Sequence, residues 1–152
     1  MSVLPVSLER RHVLVIGAAW ALPAAAQPAD PVHDLEAAVR GFAGSAPVRQ
    51  GRVTLDIAPL VDNGNTVPVS VTVDSPMTEQ DHVQAIAVFN ERNPQRDVAS
   101  FVLTPRCGRA RVDTRIRLAT SQKLVAVARL SDGSVWSHTV DVVVTLAACI
   151  ES

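Results

Sequence analysis

The sequence predicts an all-β protein: an immunoglobulin-like β-sandwich of about seven strands, preceded by one N-terminal helix. Three observations support this prediction. Apolar residues make up 47 % of the chain but aromatic residues only 3 %, so valine and alanine fill the core, and valine favours strands. From residue 51 onward, apolar and polar residues alternate in short segments, which is the period of a half-buried strand. Turn-forming residues separate these segments at regular intervals, as in sandwich proteins.

Residues 1–26 are predicted to be an export signal peptide that is not part of the fold. Arg10 and Arg11 precede an apolar run of about ten residues, which is too short to span a bilayer. A pattern of small residues ending at Ala26 fits a signal-peptidase site. The paired arginines favour the twin-arginine export route over the Sec route. We therefore expect a periplasmic protein that has no membrane association after processing, and an oxidising environment for its cysteines.

Residues 27–50 are predicted to form a helix and a linker. Asp30 and Pro31 have the features of a helix start, because aspartate can accept free backbone N–H groups and proline is tolerated in the first turn. Apolar residues then recur at helical spacing, and Gly41 and Gly44 are expected to end the helix. A helix of this length is marginal in water, so it must dock on the sheet or on a partner.

Residues 51–146 are predicted to form the sandwich. Seven segments are expected to be strands, at residues 53–57, 67–73, 83–89, 99–103, 110–118, 123–130 and 136–146. The second segment alternates most clearly. Pro68 places its start at a sheet edge or strand end, because proline cannot donate to a ladder. Residues 62–65, Asp-Asn-Gly-Asn, are expected to form a turn because Asn and Gly tolerate positive φ.

No catalytic or metal-binding pattern is recognisable after the signal peptide. His33, His82 and His138 stand at no metal-ligand spacing, and neither a nucleophile elbow nor a phosphate-binding glycine loop occurs. His138 lies on the apolar face of the last predicted strand, which favours a hydrogen-bonded core histidine. The formal net charge of −1 gives no reason to expect binding to nucleic acid. We therefore expect neither an enzyme nor a protein with a metal or other cofactor.

Five arginines are concentrated just before and along the fifth predicted strand: Arg106, Arg109, Arg111, Arg115 and Arg117. The last four have the same parity, so they are expected to line one face of that strand. Such a surface could contact an anion or a partner protein, because guanidinium groups match carboxylates and oxyanions. It could equally be a solvated sheet face, and the sequence leaves both interpretations open.

The sequence contains two cysteines, Cys107 and Cys149. Residues 147–152 are predicted to be a C-terminal arm. If the arm is extended from Leu146, it carries the Cys149 sulfur roughly 10 Å beyond the sheet. A thiol in that position suits cargo that must visit several enzymes. Cys107 could be a second thiol, or it could form a structural disulfide with Cys149, which an oxidising compartment would preserve.

The region from about residue 51 to residue 146 resembles the SoxY family, the sulfur-carrier proteins of the bacterial thiosulfate-oxidising system. The matching blocks are DNGNTVPV (62–69), VDSPM (73–77), FVLTP (101–105), TRIRLA (114–119), VAVA (125–128) and DGS (132–134). The resemblance implies a periplasmic immunoglobulin-like carrier that forms a heterodimer with a SoxZ-like subunit. It also implies that sulfur intermediates are held covalently on Cys149, while cytochrome and hydrolase partners load, oxidise and release them.

The arm departs from the family pattern, in which glycines flank the cysteine as Gly-Gly-Cys-Gly-Gly. Residues 147–152 read Ala-Ala-Cys-Ile-Glu-Ser, so this arm is stiffer and bulkier than one made of glycine. Ile150 requires space in any partner channel shaped for glycine, and Glu151 places a negative charge near the sulfur. The chain could therefore be a diverged carrier. Alternatively, it could be a structural or interaction module that has lost the carrier role and contains a Cys107–Cys149 disulfide.

Overall fold

The computed structural model describes residues 31–148. Its elements are α1 (Pro31–Ala43), β1 (Val48–Gln50), β2 (Val53–Asp56), β3 (Leu60–Val61), β4 (Val67–Val73), β5 (Val83–Asn90), β6 (Asp97–Val102), β7 (Arg111–Ile116), β8 (Gln122–Leu130) and β9 (Val135–Val144). A short 3-10 helix, Pro105–Cys107, separates β6 from β7. The predicted helix and all seven predicted strands are present, and the two additional strands, β1 and β3, are short. No helix in this part of the chain is long and apolar enough to cross a membrane.

The strands form two sheets. In the larger sheet the order is β1, β9, β8, β5 and β6, with β3 added beside β9, and in the smaller sheet it is β2, β4 and β7. Neighbouring strands are antiparallel, except that β1 and β3 run parallel to β9. Residues from both sheets share one buried core. This two-layer arrangement confirms the predicted immunoglobulin-like sandwich.

The main core lies between the two sheets and consists largely of valine. On β4, the inward residues Val67, Val69, Val71 and Val73 are each at most 3 % exposed, and the residues between them are partly or fully exposed. They share the core with Ile86 of β5. Burying an aliphatic side chain of this size contributes roughly 1.5–3 kcal/mol. The alternation therefore determines which face of β4 is buried, and with it the register of the strand.

Helix α1 covers the outer face of the larger sheet, so the predicted helix docks on its own chain. Leu35 and Ala43 are buried in this second, smaller core. Phe42 packs edge to face on Phe89, with 6.2 Å between the ring centroids. The side chain of Arg129 lies over the Phe42 ring and donates a hydrogen bond to the Phe42 carbonyl oxygen. These contacts provide the tertiary packing that a short helix needs in order to be stable.

Gly44 ends α1, and Gly41 does not. Gly44 has a φ of +65° and donates its N–H to the carbonyl oxygen of Arg40 at 2.8 Å, which is a left-handed helix cap. Gly41 lies inside the helix, and nothing is within 4 Å of the position that a Cβ would occupy there. The prediction that both glycines end the helix is wrong for Gly41, because one left-handed residue is sufficient.

The segment predicted to be a linker before residue 51 contains β1, in which Arg49 pairs with Trp136 of β9. All three β1 residues are exposed, so their sequence shows no alternation that could predict a strand. Gly51 follows with a φ of +113°, and a Cβ on it would lie 3.6 Å from the Trp136 ring. The guanidinium carbons of Arg49 and Arg52 lie 5.7 and 5.8 Å from the centroid of the same ring. Close packing on Trp136 therefore holds this segment in place.

His138 connects the two sheets. Its Nδ1 accepts a hydrogen bond from the backbone N–H of Leu55 on β2, at 3.0 Å. Because β2 is an edge strand of the smaller sheet, this bond satisfies an N–H that no neighbouring strand pairs. The predicted hydrogen bond is confirmed, but the His138 side chain is half-buried and does not lie in the core. Since Nδ1 is the acceptor, the ring carries its proton on Nε2 in this arrangement.

Replacing His138 by alanine should lower the free energy of unfolding by roughly 1–3 kcal/mol, because the N–H of Leu55 loses its acceptor in a partly buried position. Urea denaturation followed by circular dichroism measures the change. Thr139→Ser is the matched control: Thr139 is exposed on the same strand and should change the stability by less than about 0.5 kcal/mol. Equal stabilities of the two variants would show that the bond contributes nothing.

Candidate functional site

The segment after β9, residues 145–148, is attached to the sandwich, and we call it the arm root. The backbone N–H of Thr145 donates to the carbonyl oxygen of Val61 at 3.0 Å. The hydroxyl of Thr145 donates to the carbonyl oxygen of Asp62, also at 3.0 Å. Cys149, the predicted cargo-bearing residue, directly follows the arm root and lies outside the described residues.

Two further backbone hydrogen bonds hold the arm root, and a third joins the two loops that make them. Gly64 donates its N–H to the carbonyl oxygen of Leu146 at 2.8 Å, and its own carbonyl oxygen accepts from Leu118 at 2.8 Å. The carbonyl oxygen of Leu118 then accepts from the N–H of Ala148 at 3.1 Å. Ala148 is only 7 % exposed. The chain is therefore held as far as the residue that immediately precedes Cys149.

The expected course of the arm is wrong in one respect. The sequence pattern predicts that the last strand continues to Leu146 and that the arm leaves the sheet at that residue. In the structure β9 ends at Val144, Leu146 is exposed, and the chain stays on the sandwich as far as Ala148. Alternation could not predict this, because the hydrogen bonds that hold the arm root come from loops far away in the sequence.

Gly64 permits the close approach of these segments. A Cβ built on Gly64 would lie 2.3 Å from the carbonyl oxygen of Leu118 and 3.0 Å from the backbone nitrogen of Ala148. The predicted turn at residues 62–65 depends on positive φ, but no residue in that turn has one. Glycine is therefore required there for the space that its missing side chain leaves, and not for its backbone freedom.

A polar network around Asn93 supports the arm root indirectly, through the segment that contains Leu118. The side chain of Asn93 donates to the carbonyl oxygen of Arg117 at 2.8 Å. Its amide oxygen accepts from the backbone N–H of Ala119 at 3.0 Å and from the side chain of Gln122 at 2.7 Å. These bonds hold the chain on both sides of Leu118. Because Leu118 binds the arm root, Asn93 helps to fix the point at which the arm leaves the sandwich.

Cys107 lies at the opposite end of the sandwich. It is exposed in the 3-10 helix that precedes β7, whereas Leu118, which binds the arm root, lies beyond the far end of β7. A six-residue strand spans roughly 17 Å. The strand therefore separates Cys107 from Ala148 by about that distance.

The predicted arginines do not form one continuous cationic surface. Arg111 and Arg115 are exposed on β7, but Asp113 lies between them on the same face. Asp113 accepts from Nε and Nη2 of Arg111, at 3.0 and 2.8 Å, and from the hydroxyl of Ser70 at 2.7 Å. The bonds from Arg111 and Ser70 lower the pKa of Asp113 to about 2. Asp113 is therefore ionised at neutral pH and neutralises Arg111.

The other predicted arginines are exposed outside β7, with Arg106 and Arg109 before the strand and Arg117 after it. Arg109 shares a hollow of about 320 Å³ with Arg111 and with Arg52, which sequence analysis did not single out. Asp74 also lines this hollow, so cations outnumber anions by three to one. No sequence signal groups Arg52 with the others, because β2 and β7 are brought together only through β4.

A larger open groove of about 980 Å³ begins at the loop that binds the arm root. Asp56, Asp62 and Asp113 line it together with one cation, Arg115. Three carboxylates against one guanidinium make this groove acidic, so it does not favour an anion. Neither here nor elsewhere in residues 31–148 do three His, Cys, Asp or Glu side chains come together in a way that could hold a metal ion.

Comparison with protein families agrees with the fold and with the sequence blocks. The family model for sulfur oxidation protein SoxY matches residues 39–149. The sulfur carrier protein SoxY from Chlorobium limicola f thiosulfatophilum is similar in structure, with a TM-score of 0.64 and 28 % sequence identity over 76 % of this chain and 99 % of that one. A comparison with curated proteins gave no match.

Superoxide reductases have a similar fold at lower identity. The superoxide reductase (neelaredoxin) from Ignicoccus hospitalis is 16 % identical, with a TM-score of 0.55 over 62 % of this chain and 80 % of that one. The enzyme from Nanoarchaeum equitans is 12 % identical, with a TM-score of 0.54 over 63 % and 100 % of the two chains. At these identities the likeness concerns the fold alone. Because the family model covers most of the sequence, from the helix to Cys149, this chain belongs to the SoxY family.

Proposed function

We propose that this chain is a carrier that holds thiosulfate-derived sulfur intermediates covalently on Cys149 during periplasmic sulfur oxidation. Membership of the SoxY family supports this class of function. The observation that carries the proposal is the arm root, because its hydrogen bonds extend to Ala148, which immediately precedes Cys149. The fold thus fixes the point from which a cargo-bearing thiol would project.

A fixed arm root suits a carrier that several enzymes visit. Consecutive Cα atoms are about 3.8 Å apart, so a cysteine sulfur lies within roughly 7 Å of the preceding Cα. Since Ala148 is buried and hydrogen-bonded, each enzyme would find the thiol within that distance of one fixed point on the sandwich. Holding the chain in advance also reduces the conformational entropy that is lost when an enzyme binds the arm.

The chemistry of loading requires other proteins. Joining a cysteine thiolate to thiosulfate forms one S–S bond and releases two electrons, so the loading partner must accept electrons. We propose that a cytochrome takes this role and that a hydrolase later acts on the bound sulfur. In this proposal the chain itself is not an enzyme. It presents Cys149 and is acted on by its partners.

We further propose export through the twin-arginine route, directed by residues 1–26, and pairing with a SoxZ-like subunit in the periplasm. Residues 1–30 lie outside the described part of the chain. Replacing both Arg10 and Arg11 by lysine and following export in cells tests the route. Co-expression with the candidate subunit, followed by size-exclusion chromatography, tests the pairing, and a carrier that elutes alone would contradict it.

The second candidate function is a structural module closed by a Cys107–Cys149 disulfide. A disulfide requires its two Cα atoms to lie within about 7 Å of each other. Ala148 is bonded to Leu118, roughly the length of β7 away from Cys107. Forming this disulfide would therefore require the hydrogen bonds of the arm root to break. This separation favours the carrier.

The intact mass of the exported protein, measured before and after reduction, should distinguish the two candidates. A carrier should gain mass on Cys149 after exposure to thiosulfate and its periplasmic enzymes, and reduction should remove the gain. A mass two hydrogens below that of the reduced chain, together with a linked peptide containing Cys107 and Cys149, would overturn the proposal. Peptide mapping after alkylation assigns the modified cysteine.

A further inference from the structure

Of the five large apolar side chains that are exposed in the described residues, Leu60 and Val143 belong to paired strands, and Leu146 follows three residues after Val143. Leu60 of β3, 58 % exposed, pairs directly with Val143 of β9, 53 % exposed. Their neighbours Val61 and Val144 face the core, so Leu60 and Val143 share the outer face. Leu146, 61 % exposed, belongs to the arm root itself. We call these three residues the arm-side patch.

A surface that contacts only solvent gives no reason for exposed apolar side chains to be grouped. Single exposed apolar residues are common on soluble proteins, whereas two exposed apolar side chains on paired residues, as at Leu60 and Val143, form a local apolar surface of the kind used in interactions. The strand that contributes Leu60 has only two residues, and one of them exposes a leucine. Asp62 follows directly and is also exposed, which places a charge at the rim of the patch.

From this arrangement we infer that the arm-side patch is the docking surface for the enzyme that loads Cys149. The inference rests on the proposed function and on the short covalent distance between Ala148, which is hydrogen-bonded to the sandwich, and the thiol of the next residue. Because the sulfur lies within roughly 7 Å of the Ala148 Cα, an enzyme cannot reach it from a distance. The surface of the enzyme must therefore contact the arm root, where Leu146 is exposed close to Leu60 and Val143 in the chain and in the sheet.

The same geometry defines the partner. It is an electron-accepting enzyme whose active-site opening is surrounded by apolar side chains, with a basic group facing Asp62. Buried apolar anchors surrounded by a polar rim are the usual anatomy of a protein interface. The acidic groove beside Asp62 strengthens the preference for a partner with a basic rim.

The test compares the double variant Leu60→Thr/Val143→Thr with the control Val102→Thr. Both sets replace exposed strand residues, and Val102 is 87 % exposed on β6, at the opposite edge of the larger sheet. Each mature protein is incubated with thiosulfate and a periplasmic extract of the organism that encodes it. The rate of adduct formation on Cys149 is followed by intact mass. The double variant should load roughly tenfold more slowly than wild type while still co-eluting with the SoxZ-like subunit, as expected when anchor residues of the interface with the loading enzyme are lost. Val102→Thr should load at the wild-type rate.

A second readout separates docking from damage to the arm. Alkylation of Cys149 by iodoacetamide needs no enzyme and should proceed at the same rate in all three proteins. Equal loading of the double variant and wild type would overturn the docking inference and leave the carrier proposal standing. Absence of any adduct on wild type would overturn both. A wild-type dimer that Leu60→Thr/Val143→Thr converts to a fully loadable monomer would assign the patch to a second copy of the chain.

Discussion

Replacing Gly64 by alanine should lower the free energy of unfolding by roughly 3 kcal/mol and detach the arm root. The new Cβ would lie 2.3 Å from the carbonyl oxygen of Leu118, and that oxygen belongs to the backbone and cannot simply rotate away. Overpacking of this kind costs roughly 1–3 kcal/mol, and the two weakened hydrogen bonds of Gly64 add roughly 1 kcal/mol each. Urea denaturation measures the loss of stability, and amide hydrogen exchange at Ala148 measures the detachment.

Gly41→Ala is the matched control for Gly64→Ala. Gly41 lies in α1, and nothing is within 4 Å of the position of its added methyl group. Alanine should be neutral there or should stabilise the protein by up to about 1 kcal/mol, because glycine is a poor helix former. The role of Gly64 would be disproved if both variants kept the wild-type stability and the wild-type protection of the Ala148 N–H.

Replacing Cys149 by serine should abolish the adduct that thiosulfate and the periplasmic enzymes form on the wild-type protein, because serine offers no thiolate. Intact mass under loading conditions is the readout. Stability should stay within about 0.5 kcal/mol of wild type, because a carrier has no disulfide to lose and serine differs from cysteine in a single atom. A loaded Cys149→Ser protein would place the cargo elsewhere and contradict the proposed site.

Cys107→Ser is the natural comparison, because it removes the other thiol. Cys107 is exposed at the far end of β7 from the arm root, so this variant should load normally. If instead the two cysteines form a disulfide, each single variant should lose roughly 4 kcal/mol of stability, the value expected for closing a loop of this length. The adduct mass and the stability of the two variants thus distinguish a carrier from a module closed by a disulfide.

The fold could be predicted because its pattern is local. Alternating valines on β4 and the helical spacing in α1 each reflect which face of one element is buried, and this information lies within a few neighbouring residues. β1 and β3 could not be predicted in the same way. They have three and two residues, so no period can be read from them, and they become strands only because β9 lies beside them.

The candidate site likewise combines features that the sequence predicts with features that only the structure shows. Cys149 is visible in the sequence as a cysteine after the last strand, but the hydrogen bonds that hold the arm root are not. The contribution of Gly64 was assigned to a turn with positive φ, whereas the structure explains it by the close approach of Leu118 and Ala148. For the four arginines of equal parity, the sequence left both a cationic face and a solvated sheet face open. Asp113 lies in the middle of that face and neutralises Arg111.

The sequence by itself determined the class of fold and the family resemblance, and it singled out Cys149 as the candidate cargo-bearing residue, since each depends on residue types and short-range spacing. Only the tertiary structure decided that the chain stays hydrogen-bonded to the sandwich as far as Ala148. It also decided that Cys107 lies at the other end of the sandwich, and that Leu60 meets Val143 beside the arm root. These features arise from pairings between segments far apart in the sequence, such as Gly64 with Leu146. The spacing of residues along the chain does not indicate such pairings, because they form only when the two sheets pack together.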